Sequence, residues 1–309
     1  MCMEPFLPHL ARETKWAFTY LRSVASSAKL GAMGWLEERA GLTGKVAFIA
    51  GGGGGLGRAI ALDYARAGMR LLLCDKNEEL LERTVRELAN DTEAPMSALV
   101  DVRDADALTQ AFNDGLERFG RLDVLVNVAG GTFKSDFLDT NTRGWDAIVR
   151  TNFGWLLHST QIGARQMVDQ GDGGSIITLT SIEGHRAAPG YAVYSGMKAA
   201  VANFSRTLAL ELAPHGVRVN CIAPDFTPTE GMPAPHDHRV VEAGIPMGRV
   251  GTYEDIGGCA LFLASDLSSY VTGTTMHPDG GAIASSGWLN WPGLGYRNMP
   301  PESAFGAER

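Results

Sequence analysis

From Lys45 onward, short apolar runs alternate with longer amphipathic stretches, and this alternation restricts the fold more than any other feature of the sequence. The short runs have the length of β-strands, whereas the longer stretches repeat apolar residues at helical spacing. Such alternation predicts an α/β fold, in which helices cover both faces of a parallel sheet and ligands bind at the carboxyl ends of the strands. The predicted strands span 46–50, 70–75, 96–100, 124–127, 175–180, 217–222 and 274–277, and the predicted helices span 56–67, 78–90, 105–119, 141–169, 191–213 and 253–264.

Both ends of the chain fall outside this pattern. Trp16, Tyr20 and Val24 form an apolar stripe at helical spacing, which predicts a helix packed on the body or on a neighbouring subunit, with peripheral membrane attachment as the alternative. The C-terminal segment carries several aromatic residues and is expected to dock on the protein. The predicted divisions are an N-terminal helical extension (1–40), a main domain (41–287) and an aromatic tail (288–309).

Composition and charge narrow the class of partner. The chain has 27 basic and 35 acidic residues and a formal net charge of −8, which argues against nucleic acids and anionic membranes as main partners. No apolar stretch reaches the roughly 18 residues of a transmembrane helix, and the N-terminus lacks a signal-peptide pattern. Four scattered cysteines without zinc-ligand spacing indicate a reduced compartment, so we expect a cytoplasmic protein. No metal site is predicted, because His236 and His238 lack further obvious ligands.

A run of five glycines, residues 51–55, lies between the first predicted strand and the first predicted helix of the main domain. A strand, a glycine turn and a helix start together predict a phosphate site, because free backbone N–H groups and the positive end of the helix dipole face the same anion. Gly51, Gly55 and Gly57 have the spacing GxxxGxG, a variant of the dinucleotide-binding pattern. The three glycines between Gly51 and Gly55 occupy variable positions of this pattern.

Asp75 ends the second predicted strand, eighteen residues after Gly57. A carboxylate at this place accepts hydrogen bonds from an adenosine ribose diol and repels a 2′-phosphate, which favours NAD over NADP as the cofactor. Lys76 leaves NADP as the alternative. Asp75 could instead cap the helix that follows.

A second motif, YSGMK, places Tyr194 and Lys198 at i and i+4 on one face of a predicted helix. A nearby ammonium stabilises a phenolate and lowers the pKa of a tyrosine, which makes it a better acid or base at neutral pH. Ser181 lies thirteen residues before Tyr194, at the end of a strand, where a hydroxyl can orient a substrate carbonyl. Taken alone, the Tyr–Lys pair could equally be structural.

Taken together, these motifs make residues 41–287 resemble the classical short-chain dehydrogenase/reductase family. The resemblance implies one doubly wound Rossmann domain with a seven-stranded parallel sheet, assembled as a homotetramer. The segments that carry it, in chain order, are AGGGGGLG, Asp101 in VDV, NVAG at 127–130, Asn152 in TNFG, Ser181, YSGMK, PDFTPT at 224–229 and DGG at 279–281.

The resemblance also implies site residues. Tyr194 is the proton donor or acceptor, and Ser181 holds the substrate oxygen. Lys198 binds the nicotinamide ribose and lowers the tyrosine pKa, while Asn152 supports a water relay to the lysine. The implied cofactor-binding residues are Gly51, Gly55, Leu56, Gly57, Asp75, Asp101, Val102, Asn127, Gly130, Tyr194, Lys198, Pro224 and Thr229.

Three positions depart from the family pattern. Ala50 replaces a threonine and Val128 an asparagine, and both are mild changes to supporting hydrogen bonds. Asp225 replaces the usual glycine after Pro224, and a non-glycine residue resists positive φ. We therefore expect Asp225 to alter the local backbone, with substrate contact as the alternative.

The substrate pocket is expected after Ser181, around Tyr191 and after Pro224, with the aromatic tail as a possible lid. Its composition favours a small-molecule alcohol or ketone on an apolar, cyclic skeleton, steroid-like or terpenoid-like, oxidised or reduced with NAD(H). The alternative is a 3-oxoacyl thioester reductase, which Leu210 disfavours, because relatives that dock acyl carrier protein carry a basic residue there. A non-catalytic NAD-binding regulator is disfavoured by the complete Asn, Ser, Tyr and Lys set. The expected pocket residues are Ile182, Glu183, His185, Tyr191, Phe226 and Met232, of which Glu183 and His185 could anchor a polar end.

Overall fold

The computed structural model describes residues 32–89, 94–230, 237–291 and 293–299. The chain divides into two compact units, Met1–Gly41 and Leu42–Arg309. The described part of the first unit is the helix α1, Ala32–Ala40, whereas the apolar stripe predicted at Trp16, Tyr20 and Val24 lies outside the described residues. None of the helices in the described ranges is long and apolar enough to cross a membrane.

In the described part of the second unit, seven strands form one parallel sheet in the order β3-β2-β1-β4-β5-β6-β7. This order confirms the doubly wound Rossmann fold that the alternation and the resemblance predict. Because the strand order reverses between β1 and β4, a crevice opens at their carboxyl ends. The strands are β1 Val46–Ala50, β2 Arg70–Asp75, β3 Met96–Leu99, β4 Val124–Asn127, β5 Gly174–Leu179, β6 Val217–Ile222 and β7 Thr275–Met276.

Helices flank the sheet and connect its strands. In this layer α2 packs against α9, and α4 packs against α6. Where the sequence predicts one helix over 141–169, the structure has two α-helices joined by a π-helical turn, Arg150–Gly154. The prediction missed this turn because one wider turn barely changes the spacing of the apolar residues. The helices of the second unit are α2 Gly55–Arg66, α3 Glu78–Leu88, α4 Ala105–Phe119, α5 Thr142–Val149, α6 Trp155–Gln170, α7 Ala192–Leu212, α8 His238–Gly244, α9 Tyr253–Ala264 and α10 Ala282–Ser285.

The core lies on both faces of the central strands. All five residues of β1 are buried, which explains why this strand is a continuous apolar run and not an alternating one. Phe48 of β1 meets Phe112 of α4 edge to face, with ring centroids 4.1 Å apart. Dense packing of this kind fixes the ends of β1 and β4, where the crevice lies.

The aromatic tail begins with a short hairpin. Its strands, β8 Leu289–Trp291 and β9 Gly295–Arg297, pair in antiparallel fashion. β8 packs against α8, the helix that follows the 224–230 segment after a gap in the described residues.

A buried carboxylate, Asp123, ties the start of β1 to the start of β4. Its Oδ2 accepts a hydrogen bond from the Val46 backbone N–H at 2.8 Å, and its Oδ1 accepts one from Arg121 Nη2 at 2.6 Å. Burial raises the pKa of Asp123, but the hydrogen bonds from Arg121 and Val46 and the charge of Lys45 outweigh it, so that the pKa is lowered overall. The ionised carboxylate therefore stabilises the folded chain.

We expect Asp123→Asn to lower the free energy of unfolding at pH 7 by about 1–3 kcal/mol, because a buried, charge-assisted pair of hydrogen bonds is lost. The pKa of Asp123 is lower in the folded chain than in the unfolded one, so its stabilisation is present above the unfolded value, about 3.9, and is lost as the pH falls through the folded value. The difference from wild type should therefore shrink in acid. Urea unfolding at pH 7 and at lower pH measures both effects.

The matched control is Asp172→Asn. Asp172 also pairs with Arg121, at 3.4 Å, but its side chain is 60% exposed, so we expect a change within about 0.5 kcal/mol. Equal losses in the two variants would contradict the special role of Asp123.

Candidate functional site

The glycine turn closes tightly over the end of β1. Gly51 has φ +93° and Gly55 has φ +50°, a region that glycine enters without steric cost. A Cβ on Gly51 would lie 2.7 Å from the Ala129 backbone nitrogen, and a Cβ on Gly57 would overlap the Gly51 carbonyl oxygen. The turn is therefore a close backbone approach and not a hinge.

The middle glycines are also confined, which the sequence did not indicate. A Cβ on Gly53 would lie 2.9 Å from the Asp75 side chain, and a Cβ on Gly54 would lie 2.8 Å from Leu80 Cδ1. In addition, the Gly53 N–H donates a hydrogen bond to Asp75 Oδ2 at 3.0 Å. The Asp75 carboxylate thus holds the turn, and the turn leaves little room for larger residues.

Peptide groups join β1 to β4 at this edge of the sheet. The backbone N–H groups of Val128 and Ala129 both donate to the Ala50 carbonyl, at 2.9 and 3.0 Å. Ala50 and Val128 are two of the three departures from the family pattern, and the main chain holds both in place.

A cavity of about 300 Å³ opens beside the turn, along the carboxyl ends of β1, β2 and β4. Its position is the switch point of the sheet, where α/β folds bind nucleotides. Seven of the predicted cofactor residues line it: Gly51, Gly55, Asp75, Asp101, Val102, Gly130 and Thr229. Lys76, which leaves NADP as the alternative, also lines the cavity. Lining residues that the sequence did not predict are Gly54, Leu80, Val100, Arg103, Val128, Ala129, Thr151 and Glu230. Most of these residues are next to predicted residues in the sequence, and this adjacency could have identified them.

Six predicted cofactor residues do not line this cavity: Leu56, Gly57, Asn127, Tyr194, Lys198 and Pro224. The prediction that Asn127 borders the ribose requires correction. Its side chain is buried, accepts a hydrogen bond from Ser159 Oγ at 2.7 Å and donates one to Thr160 Oγ1 at 3.2 Å. Asn127 therefore ties β4 to α6, because both of its polar atoms are directed into the protein.

Asp101 faces the far end of the cavity as part of an ion pair. Arg103 Nε lies 2.9 Å from Asp101 Oδ1 and 3.1 Å from Oδ2. The Arg103 hydrogen bonds are the largest cause that lowers the pKa of Asp101, to about 2. This carboxylate is thus ionised throughout the physiological range.

Ser181 and Tyr194 meet at the carboxyl end of β5. Tyr194 lies in the first turn of α7, and Ser181 lies close enough to its hydroxyl to lower the tyrosine pKa. Ser181 Oγ also accepts a hydrogen bond from the Glu183 N–H at 3.2 Å. Lys198, one turn further along α7, donates from Nζ to the Leu179 carbonyl at 2.9 Å, and its Nζ lies 5.6 Å from the Tyr194 ring centroid.

Burial governs the ionisation of this pair. It raises the pKa of Tyr194, an effect that the Ser181 hydrogen bond opposes and the Glu183 charge reinforces. It lowers the pKa of Lys198 to about 8. The pKa of Tyr194 is therefore raised overall, whereas the resemblance implies that Lys198 lowers it.

Asn152 lies in the π-helical turn between α5 and α6. Its Nδ2 donates to the Gly131 carbonyl at 2.7 Å and to the Ile148 carbonyl at 2.9 Å, and its Oδ1 accepts from the Gly131 N–H at 3.2 Å. A Cβ on Gly130 would lie 3.0 Å from Asn152 Oδ1 and 3.4 Å from Lys198 Nζ. The structure therefore brings Asn152 and Lys198 together at Gly130, and π-helical turns often occur at functional sites.

Asp225 forms part of a charge cluster beside Tyr194. The Arg186 guanidinium lies 2.8 Å from Glu183 Oε1 and 3.6 Å from Asp225 Oδ1. Among the described residues outside glycine, only Ser286 has positive φ, so Asp225 avoids the positive φ that a glycine could adopt here. The aspartate adopts ordinary backbone angles and pairs with an arginine.

The other residues predicted to line the substrate pocket lie in different surroundings. Ile182 is fully buried, so it packs in the interior and offers no surface to a substrate, contrary to expectation. The His185 ring packs edge to face on His277, with centroids 4.7 Å apart. Tyr191 lines a small groove with Phe133 and Phe137. Phe226 is half-buried, and Met232 and His236 lie outside the described residues.

The doubly wound sheet, the glycine turn at its switch point and the neighbouring Ser–Tyr–Lys arrangement define an α/β protein of the dinucleotide-binding class. A family model described as "Enoyl-(Acyl carrier protein) reductase" matches residues 51–282. The 3-oxoacyl-[acyl-carrier-protein] reductase FabG of Chlamydia muridarum is 36% identical over 243 residues, which cover 78% of this chain and 98% of that protein. The chain belongs to the short-chain dehydrogenase/reductase family.

Solved structures similar to this chain support the same family assignment. A short-chain type dehydrogenase/reductase from Mycobacterium marinum is 35% identical, with a TM-score of 0.74, and the match covers 78% of this chain and 96% of that one. Carveol dehydrogenase from Mycobacterium avium, solved in complex with NAD, is 31% identical, with a TM-score of 0.73 and coverage of 78% and 98%. The family supports an oxidoreductase with a nicotinamide cofactor.

Proposed function

We propose that this protein is an NAD(H)-dependent oxidoreductase that interconverts a secondary alcohol and a ketone. The observation that carries the proposal is the proximity of Ser181 and Tyr194, with Lys198 one turn later on α7, next to the cavity at the switch point of the sheet. A half-buried pair of hydroxyls beside an ammonium is suited to hold a carbonyl oxygen and to exchange a proton with it.

The residues around the cavity fit a dinucleotide. The turn can close tightly because Gly51 and Gly57 have no side chains. Gly55 is the first residue of α2, and its N–H lies at the helix end that would stabilise a pyrophosphate. Asp75 lines the cavity and offers a carboxylate to a ribose diol. Asp75 supports NAD over NADP, because a carboxylate repels a 2′-phosphate. When bound, the nicotinamide supplies or accepts a hydride.

The chain's own residues would handle the oxygen and the proton. In the reducing direction, Tyr194 donates its hydroxyl proton to the substrate oxygen while Ser181 holds that oxygen by a hydrogen bond. The resulting phenolate needs a positive charge, since burial disfavours it. Lys198 provides that charge one helical turn away. Asn152 lies beside Lys198 at Gly130, where it would support a water relay to the lysine.

Two substrate classes remain. The match to FabG supports a 3-oxoacyl thioester, which we place first. A neutral cyclic alcohol or ketone is the second, because carveol dehydrogenase has the same fold and because the Glu183, Arg186 and Asp225 cluster carries two negative charges against one positive charge beside Tyr194. Leu210 is 76% exposed and offers no charge to an acidic carrier protein, which also supports the second class.

Steady-state kinetics with the purified full chain tests the proposal. Acetoacetyl-coenzyme A is compared with a panel of neutral cyclic ketones and alcohols, each with the NAD(H) and NADP(H) pairs, by nicotinamide absorbance. We expect kcat/KM to be at least about tenfold higher with NAD(H), since one misplaced charge is worth that much discrimination.

The same assay ranks the substrate classes. Turnover confined to the thioester would exclude the cyclic class, and turnover confined to cyclic substrates would exclude the thioester. A higher kcat/KM with NADP(H) would contradict the role of Asp75.

The homotetramer and the three-part division of the chain stay predictions. An apolar groove between α6 and α7, lined by Leu157, Phe204 and Leu208, supports self-association.

A further inference from the structure

The first backbone N–H of α2 already has an anionic partner from a distant part of the chain. Glu230 Oε2 accepts a hydrogen bond from the Gly55 N–H at 3.1 Å. Its other carboxylate oxygen, Oε1, pairs with Arg83 Nη2 of α3. Glu230 directly follows Thr229 and lines the cavity. One carboxylate therefore bridges the start of α2 and the guanidinium of Arg83.

This bridged position has the properties of a phosphate site. α2 is 12 residues long and begins at Gly55, so its dipole places positive potential at the Gly55 N–H. Arg83 supplies a full positive charge, and its Nε is buried without a hydrogen-bond partner in the described residues. A carboxylate is a smaller anion than a phosphate and leaves this donor unused. The arrangement therefore has capacity for a larger, multiply charged anion.

Glu230 is ionised in this position. Burial raises its pKa, but the hydrogen bond and charge of Arg83, together with the Gly55 N–H, lower it below its ordinary value overall. The side chain is nevertheless 37% exposed, so solvent weakens the pair and the carboxylate can leave without a large penalty.

We propose that Glu230 is an internal competitor for the cofactor pyrophosphate, and that Arg83 binds the pyrophosphate after Glu230 leaves. The proposal rests on the proposed function, because it concerns the same cavity. An internal anion lowers the apparent affinity for a ligand by the fraction of molecules in which the site is blocked. Thr229, whose side chain lies against Gly55, moves with Glu230, so cofactor arrival is coupled to the segment 224–230 beside the substrate site.

Binding of NADH to the full chain, by calorimetry and by fluorescence, tests the competition. We expect Glu230→Gln and Glu230→Ala to lower Kd about three- to tenfold, which corresponds to a blocked fraction of roughly 70–90% in wild type. The control is Glu87→Gln, because Glu87 also forms a partly buried ion pair, with Arg58, and in the described residues it accepts no hydrogen bond from Gly55 or Arg83. Its Kd should equal that of wild type.

The role of Arg83 is measured in the Glu230→Gln background, where the competitor is already removed. We expect Arg83→Met there to raise Kd about tenfold, as the loss of a charge-assisted contact to phosphate predicts. Arg86→Met is the control in the same background, since Arg86 lies on the same helix and pairs with exposed Glu82. An Arg83 effect no larger than the Arg86 effect would overturn this part.

Inorganic pyrophosphate serves as a second probe and separates two kinds of failure. If wild type and Glu230→Gln have the same Kd for NADH and the same Kd for pyrophosphate, Glu230 is not a competitor, and the proposed function is unaffected. If Glu230→Gln tightens pyrophosphate binding but no variant binds a nicotinamide cofactor, the anion site is supported and the proposed function fails. Equal tightening in Glu87→Gln would show a general charge effect and would overturn the proposal.

Discussion

Replacing Tyr194 with phenylalanine should lower kcat/KM by about 10²–10⁴-fold, the usual contribution of a positioned acid or base. Phenylalanine keeps the ring that lies near Lys198 and removes only the hydroxyl that lies near Ser181. The NADH Kd should therefore stay within about twofold of wild type, because a single neutral hydrogen bond contributes little to cofactor affinity. Kinetics and calorimetry on the same preparation measure both quantities.

Tyr270→Phe is the matched control, since the Tyr270 side chain is fully exposed and its hydroxyl has no expected role. Loss of turnover in Tyr194→Phe alone, with cofactor binding intact, would exclude the non-catalytic regulator. Residual activity near the wild-type level would show that another group donates the proton.

Gly57→Val is the second substitution with a large expected effect, in this case on cofactor binding. The added side chain would overlap the Gly51 carbonyl oxygen, and a clash between backbone and Cβ cannot be relieved by a change of rotamer. We expect NADH binding to weaken at least about a hundredfold, because the glycine turn that holds the pyrophosphate must open. Calorimetric titration measures the affinity, and thermal unfolding shows how far the variant is destabilised.

Two variants bracket this result. Gly258→Val on α9 is the control, because the Gly258 Cβ would meet nothing within 4 Å. Gly53→Ser should lose less affinity than Gly57→Val, since its Cβ would lie 2.9 Å from the Asp75 side chain, whereas the Gly57 Cβ would overlap a backbone oxygen. If Gly53→Ser and Gly57→Val lost equal affinity, the phosphate cradle would have been misplaced.

The sequence predicted the fold because the fold depends on patterns that one strand or helix carries by itself. All seven strands of the main sheet occur where apolar runs predict them, with ends that differ by a residue at most. The π-helical turn at Arg150–Gly154 was missed, because one additional residue in a turn leaves the apolar spacing almost unchanged.

The site was predicted less evenly, because side-chain direction depends on neighbours that are distant in the chain. The motif spacing correctly brought Ser181, Tyr194 and Lys198 together. It could not show that Asn127 turns inward to Ser159. Likewise, Glu230 reaches Gly55 across 175 residues, and no local pattern encodes that contact.

The join between β1 and β4 has a consequence for how this sequence can change over evolutionary time. The Ala50 carbonyl is held by the N–H groups of Val128 and Ala129, and every residue type except proline provides such N–H groups. The two hydrogen bonds therefore do not depend on the side chains at positions 50 and 128. Alanine at position 50 and valine at position 128 can therefore replace threonine and asparagine, and the carboxyl ends of β1 and β4 remain joined in the same way.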